Sequence, residues 1–257
     1  MIDAVNPLGT AINLRAAAED LRKDYPRAAS LINRLASAHS IRSDLGMALD
    51  MMTAHELVLP LARSGTDANR WAADSALALI NSAVIFYVRA THSSSNHRGT
   101  IDFRNEYSEK EREVHQTLTK LRNDAIAHFG PGEEYGGPPW QAEGVFLPID
   151  RPDDIRIMTA SRRIIMQKQL QDRMSVQISR AILIAEKATQ TRNSELARYM
   201  NDLVEDRAFV SVIEKHRMDL VEFFETEEAR DHALSGLRSR RLTGVVDHST
   251  REGNAQP

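Results

Sequence analysis

Between residues 161 and 235 the chain has neither glycine nor proline. These are the residues that end helices most readily, and apolar residues recur through this stretch at helical spacing. It therefore predicts two or three helices from about 161 to 235. The same spacing appears earlier. Leu8, Ile12, Leu14, Ala18 and Leu21 mark a helix over 8–24 that Pro26 ends. Leu31, Ile32, Leu35 and Ala38 mark one over 27–40. Leu45, Leu49, Met52 and Leu57 mark one over about 43–59, stopped by Pro60. Asp67 is placed to cap a long helix over about 68–91.

Downstream of the polar loop THSSSNHRGT (91–100), Ser108 and Glu111 have the spacing of a capping box, opening a helix to about Phe129. The Gly- and Pro-rich run GPGEEYGGPPW (130–140) interrupts regular structure. VFLPI (145–149) and IRIMT (155–159) flank RPDD and read as a β-hairpin. The fold class expected is mainly α, a helical bundle with a small β-hairpin insertion. The expected division is an N-terminal helical region (1–65), a helical domain (66–240) with its hairpin near 144–160, and a solvated, disordered tail (243–257).

Composition narrows the function classes. The net charge of −3 provides no global field for nucleic acid, so any such contact is local. The absence of cysteine excludes disulfides, thiolate metal sites and cysteine nucleophiles. MIDAVNPLGT lacks the basic-then-apolar pattern of a signal peptide. The most apolar run, ALALINSAVIFYV (76–88), is short for a bilayer and contains Asn81. A cytoplasmic protein with no membrane association is expected. No Gly-rich phosphate loop, HExxH or GxSxG motif occurs, and no cofactor is expected.

The stretch LRNDAIAHFGPG (121–132) carries the most chemistry. With α-helical winding, Val114, Leu118, Leu121, Ala125 and Phe129 form one apolar stripe, with Arg122 and His128 on its two edges, roughly 120° apart. They are poor partners within one straight helix, but two copies packed antiparallel could bring Arg122 of one near His128 of the other. RNA cleavage needs a base for the 2′-hydroxyl, an acid for the leaving oxygen and a cation for the developing charge. Histidine suits proton transfer, and the arginine fork suits phosphate oxygens. Asn123 could hydrogen-bond the phosphate.

A structural reading stands beside this one. A cationic His128 in the last turn satisfies the helix dipole, Asp124 lies four residues before it, and Gly130–Pro131 is an ordinary stop. An Arg followed by His at this loose spacing recurs at Arg34/His39 and Arg241/His248. Spacing alone therefore decides nothing. The neighbouring Leu121 and Asn123 set this occurrence apart.

The string LRNDAIAHFG resembles the motif of HEPN domains, through Leu121, Arg122, Asn123, Ala127, His128 and Gly130. The preceding NRWAADSALALINSAVIFYVRA (69–90), ending in Tyr87 and Arg89, is similar to the apolar helix before the motif in abortive-infection-like members. The resemblance covers about 65–200. It implies a helical homodimer with a composite site at the seam and, in active members, metal-independent endoribonuclease activity in toxin–antitoxin or phage-defence systems. On that resemblance Arg122 holds the phosphate, Asn123 assists, His128 transfers protons and an antitoxin protein is a candidate partner. Some members only bind nucleotides or partners, so a non-catalytic helical dimer is the alternative.

Other residues carry weaker readings. His97 and Arg98, with Arg89, are placed to contact RNA backbone. His92 and His97 could hold a metal, but no third ligand accompanies them, and no metal is expected. Glu111, His115 and Arg122 follow one side of the motif helix and read as an ion-pair row. ETEEARDHA (225–233) reads as a solvated helix face, and Arg238, Arg240 and Arg241 as a basic knot able to meet phosphates.

Overall fold

The computed structural model describes residues 10–62, 70–92, 98–127, 140–147, 157–164 and 168–238. These are mainly helical, with two small antiparallel two-stranded sheets. The first elements are strand β1 (Thr10–Ile12), helix α1 (Leu14–Asp20), capped by Asn13, and helix α2 (Pro26–Ala62). Pro26 is the first residue of α2, where the missing N–H costs no helical bond. Pro60 lies inside the same helix, close to its end. The segments that the prolines delimit on sequence thus form one helix of 37 residues.

Helix α3 (Arg70–Thr91) and the short α4 (Phe103–Glu106) precede α5 (Glu109–Lys120). Both bonds of the expected capping box are made: Glu111 N donates to Ser108 Oγ, and Ser108 N donates to Glu111 Oε2 at 2.7 Å. The helix continues as a π-helical segment, Leu121–Ala127. Strands β2 (Gln141–Phe146) and β3 (Met158–Arg163) form the hairpin, with Phe146 opposite Met158 and Gln141 opposite Arg163. β3 thus extends into residues where the pattern suggested helix. A Cβ on Gly144 would lie 2.2 Å from Phe146 Cζ, so a side chain there would have to displace that exposed ring.

Helix α6 (Lys168–Asp202) is unbroken. Aspartates make the later breaks that glycine and proline do not. Asp206 caps α7 (Arg207–Glu214), and Asp219, the last residue of β4 (Arg217–Asp219), caps α8 (Leu220–Phe224). Helix α9 (Glu227–Arg238) follows.

The chain packs as two units, one of residues 1–33 with 195–257, the other of residues 34–194. On sequence the division was expected near residue 65. In the first unit β1 pairs with β4, Thr10 opposite Asp219 and Ile12 opposite Arg217. Tyr25 donates from its hydroxyl to Asp206 Oδ2 at 2.8 Å and lies edge-on to Phe209. In the second unit Ile41 and Leu45 of α2, Ile80 and Val84 of α3, Leu118 of α5, and Met174 and Ile178 of α6 share one buried core. By length and composition α3 could cross a membrane. Here Ala76, Ile80, Ala83, Val84 and Tyr87 along it are buried.

Candidate functional site

The motif begins where α5 gives way to π winding. Leu118 and Leu121 are fully buried. Ile126, five positions after Leu121, is partly buried and packs against the same core. That separation matches π winding. The 120° separation expected for Arg122 and His128 assumed α geometry, and a π segment turns less per residue.

Arg122 is exposed, and its Nη1 donates to Asn123 Oδ1 at 3.0 Å. These two expected site residues, neighbours in sequence, are thus joined at an exposed position. Asp124 is exposed. His128 lies outside the described residues.

Arg89 and Arg98 meet at Asp44, a largely buried carboxylate of α2. Arg89 Nε donates to Asp44 Oδ2 at 2.9 Å and its Nη2 donates to Oδ1. Arg98 Nη1 donates to Asp44 Oδ2 at 2.5 Å. Two guanidinium groups share one carboxylate, leaving one positive charge in excess. The Arg89 side chain is half exposed and lies over the Phe86 ring, 4.6 Å from its centroid. Arg98 Nη2 is buried with no hydrogen-bond partner among the described residues. His97 lies outside the described residues.

Behind α5 the core contains a polar network that hydropathy patterning does not reveal. The Tyr87 hydroxyl lies 3.3 Å from that of Tyr107, accepts from Gln177 Nε2 at 3.1 Å and lies 3.1 Å from His115 Nδ1. Tyr87 is fully buried, Tyr107 and Gln177 nearly so. Burial raises the pKa values of both tyrosines and pushes that of His115 down to about 4, with His92 adding a smaller repulsion. His115 is therefore neutral near pH 7. Its ring centroid is 6.1 Å from that of exposed His92.

The ion-pair row expected from Glu111, His115 and Arg122 is divided among separate partners. Glu111 reaches Ser108 and, at 3.4 Å, Arg180; His115 reaches Tyr87; Arg122 reaches Asn123. The Ser108 backbone N–H holds the Glu111 carboxyl below its ordinary pKa. Among the described residues no group of three or more His, Asp or Glu side chains could hold a metal ion. Helical spacing places His115 on α5, but nothing in it points to Asp44, Tyr107 or Gln177. They reach the site through contacts between distant elements.

No protein-family model, curated protein or solved structure matches the chain.

Proposed function

We propose that this protein is a metal-independent endoribonuclease of the HEPN type, a cytoplasmic toxin or phage-defence effector restrained by an antitoxin. Arg122 holds the scissile phosphate, Asn123 orients the Arg122 fork, and His128 moves the proton between the 2′-hydroxyl and the leaving oxygen. Arg89, His97 and Arg98 contact the RNA backbone. The observation that carries this reading is the exposed Arg122 joined to Asn123 at the start of the π segment. π turns inside α-helices occur often at functional sites, and an exposed guanidinium suits a phosphodiester.

The site is composite, with Arg122 from one copy and His128 from the other across a two-fold axis. Complementation tests this. Arg122→Ala and His128→Ala are each inactive alone. Mixed and allowed to exchange subunits, they regain about a quarter of wild-type cleavage, since half the dimers are mixed and each has one intact site. If the mixture stays inactive while both proteins exchange, Arg122 and His128 do not act across a dimer.

A second reading, a non-catalytic helical dimer serving as an interaction module, is favoured by the hairpin. Val145, Phe146, Leu147, Ile157 and Met158 are each more than half exposed at one end of it. Such a cluster suits a protein partner.

A further inference from the structure

The fold sets His92, at the C-terminal end of α3, against His115 of α5, although 22 residues separate them in sequence. His115 is fixed from behind, because its Nδ1 is bonded to the Tyr87 hydroxyl within the buried network. Its only hydrogen-bonded ring nitrogen among the described contacts is Nδ1, leaving Nε2 for a ligand. His92 is exposed. Arg89 lies three residues before His92, the residue just after α3, whose N–H donates to Val88 O at 2.8 Å and so continues the helical turn. Asp44 takes Arg89 Nε and Nη2, which leaves Nη1.

We propose that His92 and His115 form a binding site for a phosphoryl group, with Arg89 as the third contact. Each ring nitrogen lies about 1 Å from its centroid, and each hydrogen bond to a phosphoryl oxygen spans about 2.7–3.2 Å. One anion therefore bridges imidazoles at the observed 6.1 Å separation. The excess positive charge of the Asp44, Arg89 and Arg98 cluster favours the same ligand. The other groups around the imidazoles do not supply this charge: the Tyr87 and Tyr107 hydroxyls stay neutral, Gln177 is an amide, and Glu111 is paired with Arg180. An anion beside the His115 ring stabilises its protonated form, so binding is coupled to proton uptake. The site shares Arg89 with the RNA-backbone contacts of the proposed ribonuclease, but it does not require Arg122, His128 or cleavage.

The test is a titration of the full chain with inorganic phosphate at constant ionic strength, followed through the histidine ring resonances by NMR. His92 and His115 are expected to shift together and saturably, with His39 and His216 unmoved. Affinity should rise about tenfold per unit fall in pH for each proton taken up. His92→Gln, a change at an exposed side chain, should weaken binding at least tenfold with the fold unchanged. A 2′-O-methyl oligoribonucleotide, which cannot be cleaved, forms the second arm. Tighter binding than phosphate at the same two residues identifies a nucleic-acid phosphodiester as the source; tighter binding of phosphate identifies the free ion. Absence of a saturable shift with either probe, equal shifts at all four histidines, or unchanged affinity in His92→Gln overturns the proposal.

Discussion

At the residue scale Tyr87 is the junction of the buried polar network. Its hydroxyl serves Tyr107, His115 and Gln177, three groups from different parts of the second unit. Tyr87→Phe keeps the ring but removes the hydroxyl that joins Gln177, Tyr107 and His115 in the buried network. A cost of about 1–3 kcal/mol is expected, read as a lower urea midpoint with an unchanged m-value. His115 makes a pH prediction. Its folded pKa of about 4 lies below the ordinary value of about 6.5, so the unfolded chain binds the extra proton between those values. Stability contributed by neutral His115 is fully present above pH 6.5 and is lost as pH falls towards 4. His39 is shifted in the same direction, by burial and then by Arg42. Urea midpoints measured from pH 7 to 4.5 should fall, and His115→Gln should fall less steeply. Equal slopes would place the pH dependence elsewhere. Little of this was legible in the sequence. A lone Tyr and a lone Gln on apolar faces look like any others until the helices meet.

At the element scale local chemistry was legible where the partners are near in sequence. Ser108 and Glu111 close the capping box their spacing announces. Ser108→Ala should cost about 1 kcal/mol, measured by thermal unfolding, and Ser108→Thr should recover most of it. Proline misled at one position. Pro60 was expected to stop a helix at about residue 59, yet it lies inside α2, which runs to Ala62. The β1–β4 pair was invisible for another reason. Three-residue strands have no measurable alternation, and their pairing joins Thr10 to Asp219. The π segment was also hidden, since its apolar spacing through Leu121 and Ile126 competes with the α spacing that Ala125 offers.

At the scale of the whole molecule the mainly helical class followed from breaker-free, periodic stretches, and the structure has it. The division into units did not follow, because residues 195–257 pack with the first 33 residues. Linear order contains no signal for such a return. The composite site we propose requires a dimer, so light scattering should give twice the 28.9 kDa chain mass at micromolar concentration. A monomer there would remove the two-fold site.

The most direct measurement is RNA cleavage by purified wild type, Arg122→Ala and His128→Ala, in excess EDTA, with product ends identified. Cleavage by wild type alone, leaving 2′,3′-cyclic phosphate or 3′-phosphate ends, is the expected result. Both variants should stay folded and dimeric. Equal cleavage by all three proteins, or none by wild type across varied RNAs, would contradict a ribonuclease site at Arg122 and His128.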